Sequence, residues 1–183
     1  MSLYAIILAA GKGTRMKSSL LKVAHDVAGK PIVEYIIDTV RALGSEQTYL
    51  IVGHQADMVK ERFNGPDITH VMQEEQLGTG HAAQQVDTYL AGKKGTVIVL
   101  AGDCPLIRKE TLEKLITKHQ EANAACTILS TKMDEPAKYG RILRGPMGSV
   151  IGIREAKDCS PEELAIQEIN TGVYAFNVDN LFA

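Results

Sequence analysis

The sequence predicts an α/β fold in which a mostly parallel sheet is covered by helices on both faces. Strand-like apolar runs alternate with amphipathic helical stretches from the first residues onward, a rhythm that favours right-handed β-α-β crossovers. Two of the runs, Tyr4–Ala9 and Thr96–Ala101, are almost entirely apolar, as strands buried on both faces are. The length of 183 residues, with 45% apolar and 23% charged residues, suits one globular domain.

Local signals place the remaining elements of the parallel part. Pro31–Leu43 is predicted to be a helix, because Pro31 suits the first helical position and Gly44 the C-terminal cap. The other predicted elements, in order, are the strand Thr48–Val52, the helix Asp57–Phe63, the strand Ile68–Met72, the helix Thr79–Leu90, the strand Thr96–Ala101, the helix Lys109–Ala122 and the strand Ala125–Thr131.

The rhythm changes after about Asp134. Short β segments at Arg141–Leu143, Ser149–Arg154 and Gly172–Phe176 are separated by Gly and Pro, which predicts a short antiparallel addition to the sheet. A new helix begins at Val178–Ala183, where the chain stops. We therefore expect residues 1–183 to form one domain that is truncated at its C-terminus.

Charge and cysteine content exclude several classes. Twenty Lys and Arg against 22 Asp and Glu give a net charge of −2, which argues against a nucleic-acid or membrane-surface partner. The apolar stretch Leu3–Ala10 is shorter than the roughly 20 residues of a membrane span. The three cysteines have no C-x-x-C spacing, so neither a zinc site nor a disulfide framework is indicated, and a cytoplasmic location is expected.

A glycine-rich loop follows the first strand, with the sequence LAAGKGTRM at Leu8–Met16. Ligands of open α/β sheets bind at the carboxyl ends of strands. Gly11 and Gly13 permit successive N–H groups to face one anion, and Lys12, Arg15 and Lys22 add positive charge. The loop therefore predicts a polyphosphate site.

Two familiar phosphate loops do not match. A P-loop counted from Gly11 fails because its sixth position is Met16, and the dinucleotide fingerprint lacks its third glycine for the same reason. A dinucleotide oxidoreductase is accordingly disfavoured. A basic βα turn without a ligand is the alternative interpretation of the loop.

Asp103 follows the apolar strand Thr96–Ala101, with Gly102 between them. A carboxylate facing a polyphosphate repels it unless a cation lies between them, and Mg²⁺ is commonly held by one or two carboxylates plus substrate phosphates. Asp103 is therefore a candidate Mg²⁺ ligand. The alternative is that it caps a following turn.

Several motifs together resemble the sugar-phosphate nucleotidyltransferases, most closely the bacterial N-acetylglucosamine-1-phosphate uridyltransferases. They occur in the family's order along the whole chain. They are LAAGKGTRM, Lys22 of Leu20–Val23, AGKPI at Ala28–Ile32, Gln73, QLGTGHA at Gln76–Ala82, LAGDCPLI at Leu100–Ile107, YGRI at Tyr139–Ile142 and EINTG at Glu168–Gly172.

The resemblance implies a Rossmann-like fold of the nucleotide-diphospho-sugar transferase type. It also implies a role for each matching residue. Arg15 and Lys22 would be catalytic, neutralising the triphosphate, and Asp103 would hold Mg²⁺. The implied nucleotide-binding residues are Leu8, Ala9, Ala10, Gly11, Gln73, Gly78, Thr79 and Asp103, and the implied sugar-binding residues are Gly140, Glu155 and Asn170.

The implied reaction converts UTP and N-acetylglucosamine 1-phosphate into UDP-N-acetylglucosamine, a precursor of peptidoglycan and lipopolysaccharide, and pyrophosphate. A transferase with another base or sugar, and a nucleotide-sugar-binding module without turnover, remain as alternatives. His81 is expected to support the nucleotide motif without touching the ligand. His119 is expected to be half-buried, and Lys93 and Lys94 to lie in a solvated turn.

The chain departs from the family pattern in two respects. Leu21 stands where the family has Pro, and the expected effect is a looser Lys22. The family also has a second metal ligand, an Asn, which belongs to sequence beyond Ala183. The same is true of its β-helix acetyltransferase domain, which makes the trimer contacts. No acetyltransferase activity is therefore assigned.

Overall fold

A computed structural model describes residues 1–11, 13, 16, 18, 20–53, 56–75 and 77–182. Lys12, Arg15, Gln76 and Ala183 lie outside the described residues. The chain divides into two compact units, which we call the large unit (Met1–Thr127 with Tyr174–Ala183) and the small unit (Ile128–Val173).

The elements follow the predicted order, and we number them along the chain. The strands are β1 (Leu3–Leu8), β2 (Asp26–Val27), β3 (Lys30–Pro31), β4 (Gln47–Val52), β5 (Ile68–Met72), β6 (Thr96–Ala101), β7 (Cys126–Lys132), β8 (Arg141–Arg144), β9 (Val150–Arg154) and β10 (Glu168–Asn177). The helices are α1 (Ile32–Ala42), α2 (Ala56–Arg62), α3 (Thr79–Gln84), α4 (Asp87–Leu90), α5 (Lys109–Glu121), α6 (Pro161–Leu164) and α7 (Val178–Leu181).

The large unit is built on parallel strands in the order β5-β4-β1-β6. The end of β10 runs antiparallel beside β6, with Tyr174 opposite Val99. The predicted parallel sheet with an antiparallel addition is thus confirmed. In the small unit, β8 and β9 form an antiparallel hairpin, and β10 pairs with β7 and β8.

The central strands β1, β4 and β6 are buried on both faces because helices cover both. Side chains at alternate positions, such as Tyr4 and Ile6 of β1, pack in one cluster with Val86 and Leu90. The intervening residues, such as Ile7, are also buried, since successive side chains of a strand point to opposite faces. The near-continuous apolar runs of the sequence follow from this double burial.

The predicted helix Thr79–Leu90 is wrong in one respect, because the structure has two short helices there, α3 and α4. At the break, the side-chain Nε2 of Gln85 donates to the carbonyl of His81 at 3.0 Å. The backbone N–H of Gln85 instead bonds to Ala82. A side chain that takes the place of a helical backbone donor ends the regular ladder.

The solvated turn predicted at Lys93 and Lys94 is confirmed for Lys94, whose side chain is 84% exposed, and is wrong for Lys93. Its Nζ lies 3.0 Å from the hydroxyl of Tyr49 and 5.1 Å from the ring centroid of Tyr4. The hydrogen bond to Tyr49 raises the pKa of the Lys93 ammonium. Lys93 therefore fastens the turn before β6 to two aromatic side chains of the sheet.

His119 is fully buried, not half-buried as predicted. Its Nδ1 lies 2.9 Å from Thr127 Oγ1, and its Nε2 lies 3.1 Å from Asn177 Oδ1. The amide of Asn177 donates in turn to the carbonyl of Ala124 at 3.0 Å. The histidine thus joins the end of α5 to the start of β7 and the end of β10. In the part of the chain that the structure describes, no helix has the length and apolarity to cross a membrane.

The His119 network yields a stability prediction. Substitution His119→Leu keeps the volume but leaves Thr127 and Asn177 without their partner, so we expect it to lower the free energy of unfolding by about 3 kcal/mol. Urea denaturation measures this change. The control Lys114→Ala, on an exposed position of α5, is expected to stay within about 0.5 kcal/mol of the wild type, and an equally small loss for His119→Leu would contradict the network.

Candidate functional site

The glycine loop and Asp103 leave neighbouring strands at the same edge of the sheet. Leu8, the last residue of β1, lies opposite Ala101, the last residue of β6. The N–H of Gly102 then donates to the carbonyl of Leu8 at 2.9 Å. The loop that begins at Ala9 and the carboxylate of Asp103 therefore start side by side.

Gly102 is required for this closeness. A Cβ at its position would lie 2.8 Å from the carbonyl oxygen of Leu8 and 3.2 Å from Cγ1 of Val23. The first contact is with backbone, which cannot move aside as a flexible side chain does. Any larger residue would separate the ends of β1 and β6.

The two predicted charged residues of this edge form an ion pair. Lys22 Nζ lies 2.5 Å from Asp103 Oδ2, and the two side chains are 37% and 35% exposed. The thiol of Cys104 donates to the other carboxylate oxygen at 3.7 Å. Burial, then the charge of Asp103, raises the pKa of that thiol, which keeps it protonated and a poor nucleophile.

The backbone before Lys22 has the conformation that a proline would impose. Leu21 has a φ of −57°, within the range of proline, and its side chain is buried. Gly13 approaches from the other side with a φ of +58°, and a Cβ there would lie 2.8 Å from Lys22 Cβ. Gly13 of the loop thus packs directly against Lys22. The predicted role of Arg15 falls on a residue outside the described ranges.

The predicted nucleotide-binding residues Gln73 and Gly78 lie further along the same edge. The N–H of Gln73 donates to Val52 at the end of β4, and the N–H of Ala9 donates to Ile51, also of β4. Gln73 is buried, with 4% of its surface exposed, and its Nε2 lies 3.4 Å from the carbonyl of Gly78. Three strand spacings, about 14 Å, separate β5 from β6, which is comparable with the length of a nucleoside triphosphate.

The small unit brings the three predicted sugar-binding residues together. The N–H of Asn170 donates to the carbonyl of Gly140 at 2.8 Å. A Cβ on Gly140 would lie 3.4 Å from Glu155 Oε1. Asn170 Oδ1 accepts from the N–H of Gly172 at 3.1 Å, which fixes the amide beside the glycine.

Two charged residues of the YGRI and EINTG motifs, Arg141 and Glu168, stabilise the fold of the small unit. Arg141 is 3% exposed, and it donates to the carbonyls of Tyr139, Ala137 and Leu164, which holds the loop before Gly140. Glu168 accepts two bonds from Arg144, each 2.7 Å long. These bonds lower the pKa of Glu168 to about 2. The sequence analysis did not single out Arg141, although a charged residue inside an apolar motif is the signal that identifies it.

An apolar cleft of about 450 Å³ also lies in the large unit. Its wall includes the aromatic side chains Tyr174, Phe176 and Phe182, and Thr79 is the predicted site residue among them. Such a lining does not suit a triphosphate. The basic and acidic groups of the sheet edge remain the better candidate site.

A metal ion at Asp103 would need ligands from elsewhere. Among the described residues, no group of three or more His, Cys, Asp or Glu side chains could hold a metal. Asp103 offers one partly exposed carboxylate. One carboxylate fits Mg²⁺ that arrives with a nucleotide, because phosphate oxygens and water supply the other ligands.

Comparison with known proteins agrees with the motifs. Residues 5–162 match the family model described as the MobA-like NTP transferase domain. "Bifunctional protein GlmU" of Bacillus cereus (strain AH187) is 51% identical over 180 residues, and that of Enterococcus faecalis (strain V583) is 51% identical over 179 residues. In both cases the alignment covers 98% of this chain and 39% of the relative. The family resemblance predicted from the motifs is confirmed.

Solved structures confirm the fold class. UDP-glucose pyrophosphorylase complexed with UDP-glucose superposes with a TM-score of 0.80 at 17% identity, covering 98% of this chain and 77% of that one. A putative glucose-1-phosphate thymidylyltransferase from Bacillus anthracis superposes with a TM-score of 0.75 at 19% identity, covering 98% and 73%. At these identities the likeness shows the fold alone.

The close approach at Gly102 yields a prediction. Substitution Gly102→Ala should push Asp103 away from Lys22 and lower the affinity for UTP with Mg²⁺ by about tenfold or more, the equivalent of about 1.4 kcal/mol. Isothermal titration calorimetry measures the affinity. Gly152→Ala is the control, because its Cβ would meet only Leu143 at 4.0 Å. Unchanged affinity in Gly102→Ala would contradict the need for contact between the two strand ends.

Proposed function

The chain belongs to the MobA-like NTP transferase domain family, and from this premise we propose that it transfers a uridylyl group from UTP to N-acetylglucosamine 1-phosphate. The products are UDP-N-acetylglucosamine and pyrophosphate. The high identity to relatives called bifunctional protein GlmU and the motifs of the sequence support this choice of substrates. The chain spans 39% of the length of those relatives, and the proposal concerns the transferase reaction alone.

One observation carries the proposal, namely the ion pair of Lys22 and Asp103 beside the glycine loop. A cation and a carboxylate at the carboxyl edge of a parallel sheet are what a metal-bound polyphosphate requires. Leu8, Ala9, Ala10 and Gly11 line the same edge as the start of the loop. In the proposed function the small residues Ala9, Ala10 and Gly11 let the nucleotide approach the backbone.

The proposed reaction is an in-line attack by the sugar-phosphate oxygen on the α-phosphorus of UTP. The attacking group is already an anion, so the reaction needs positioning and charge neutralisation more than a general base. Lys22 and Arg15 offset the charge of the departing pyrophosphate. Gly140, Glu155 and Asn170 of the small unit bind the sugar, where a carboxylate and an amide suit hydroxyl and acetamido groups.

Mg²⁺ is part of the proposal, with Asp103 as its protein ligand. When bound, the ion neutralises phosphate charge and orients the phosphate oxygens. Lys22 occupies one oxygen of Asp103 in this structure. With Mg²⁺ held by Asp103, Lys22 would pair instead with the phosphates of the nucleotide.

We also propose the cytoplasm as the site of the reaction. Cys104, Cys126 and Cys159 are free thiols, which suits a reducing compartment.

In this proposal Lys22 and a metal ion compete for the carboxylate of Asp103, and the competition can be tested without turnover. Substitution Lys22→Met frees the carboxylate, so binding of Mn²⁺ in the absence of nucleotide should tighten by about tenfold, or about 1.4 kcal/mol, while UTP affinity falls. Titration followed by electron paramagnetic resonance measures free Mn²⁺. Lys30→Met is the matched control, since Lys30 forms an ion pair with another aspartate, Asp38. Weaker Mn²⁺ binding by Lys22→Met would contradict the competition.

The activity itself is tested by pyrophosphate release. The wild type should release pyrophosphate only with UTP, N-acetylglucosamine 1-phosphate and Mg²⁺ together, and Asp103→Asn should lower kcat by about a hundredfold, as removal of charge-stabilising groups commonly does. Faster release with another nucleotide or sugar phosphate would identify a related transferase. Binding of UTP without any release would identify a nucleotide-binding module instead.

A further inference from the structure

We propose that His81 is a positioning residue that decides which atom of Gln73 faces the nucleobase, and thereby sets the preference for uridine. The inference rests on the proposed function, and within it we assign the reading of the base to Gln73, one of the nucleotide-binding residues that the family resemblance implies. His81 itself touches the side chain of Gln73, and its effect on the nucleotide passes through that contact.

The contacts of Gln73 fix its amide through one atom. Nε2 lies 3.2 Å from His81 Nδ1 and 3.4 Å from the carbonyl oxygen of Gly78. Within the described ranges, neither contact uses Oε1. A carbonyl oxygen only accepts, so the atom facing Gly78 is the amide nitrogen. Oε1 is therefore on the opposite side of the amide group from His81 and Gly78.

This arrangement requires one form of the imidazole. Nδ1 must carry the lone pair that accepts from Gln73, so the proton of neutral His81 is on Nε2. Gln85 lies at Nε2, where its own amide nitrogen is 3.2 Å away. The two glutamines thus compete for a ring that accepts hydrogen bonds at only one nitrogen.

Burial decides the competition in favour of Gln73. Only 4% of Gln73 is exposed, so water cannot replace a lost partner, and an unpaired buried amide costs about 1–3 kcal/mol. Gln85 is half-buried at the end of α3, and its Nε2 already donates to the backbone carbonyl of His81 at 3.0 Å, so it does not need the imidazole as an acceptor. His81 consequently keeps the Nδ1 acceptor for Gln73.

The orientation has a direct consequence for base recognition. Uracil presents an N–H donor at N3, which suits the Oε1 acceptor of Gln73. Cytosine presents a lone pair at N3, which the same oxygen repels. Without the acceptor at His81, only the 3.4 Å contact with the carbonyl of Gly78 holds the amide, so Gln73 rotates more easily to offer Nε2 and the discrimination against cytosine weakens.

The test compares UTP and CTP binding, each with Mg²⁺, by isothermal titration calorimetry. The wild type should prefer UTP, and His81→Phe should narrow the ratio of the two affinities by about tenfold, the value of one hydrogen bond. His81→Asn should restore much of the ratio, because its Oδ1 provides an acceptor close to the position of Nδ1. Gln84→Ala, an exposed neighbour on α3, is the control and should leave the ratio unchanged.

The outcomes separate the inference from the proposed function. Equal binding of UTP and CTP by the wild type would contradict both. A wild-type preference for UTP that His81→Phe retains would contradict the role of His81 alone.

The ring nitrogens provide a second measurement that needs no variant. Nitrogen-15 chemical shifts of the wild-type chain should show His81 with its proton on Nε2. A proton on Nδ1 would overturn the inference.

Discussion

The contact between the ends of β1 and β6 is the constraint on which the candidate site depends. Parallel pairing places Leu8 opposite Ala101, and the bond from Gly102 to Leu8 extends that pairing one residue beyond the strands. The glycine loop and Asp103 therefore follow directly from neighbouring strand ends. Lys22 forms an ion pair with the carboxylate of Asp103, so the charged groups of this edge lie close together.

The rest of the large unit holds this edge in place. The central strands β1, β4 and β6 are buried on both faces by helices, and interior packing of this kind gives little room for their ends to move. Polar contacts stabilise the periphery of the unit. His119 connects α5 to β7 and β10, and Lys93 contacts Tyr4 and Tyr49. Rigid strands and a ligand-binding loop at their ends are the usual division of labour in α/β proteins.

Periodicity and turn residues predicted the parallel strands and the longer helices, because each is specified by local pattern. The split of the helix at Gln85 could not be predicted, since it depends on a side chain reaching a backbone carbonyl. The burial of His119 likewise depends on Thr127 and Asn177, and Asn177 is far away in the sequence. The hairpin of β2 and β3 was also missed, where Ala28 and Gly29 both have positive φ.

The site shows the same limit. Chain order and residue type selected Asp103 and Lys22, the family resemblance added Gln73, and the topology explains why they share an edge. Two contacts of the site are tertiary, and no local pattern encodes them. They are the ion pair of Lys22 with Asp103 and the hydrogen bond between Gln73 and His81. Leu21 is a further example. The sequence predicted a looser backbone because the family's Pro is missing, but Leu21 has a proline-like φ and a buried side chain.

The central claim is that a metal-bound nucleotide occupies the carboxyl edge of β1 and β6. Paramagnetic broadening of backbone amide resonances by Mn²⁺ with UTP tests it most directly. The account predicts that the signals of Gly11, Lys22 and Gly102 to Cys104 vanish while those of Ser2 and Gly95, at the opposite edge, persist. Broadening centred on the apolar cleft near Phe176, or none at Gly102, would contradict it.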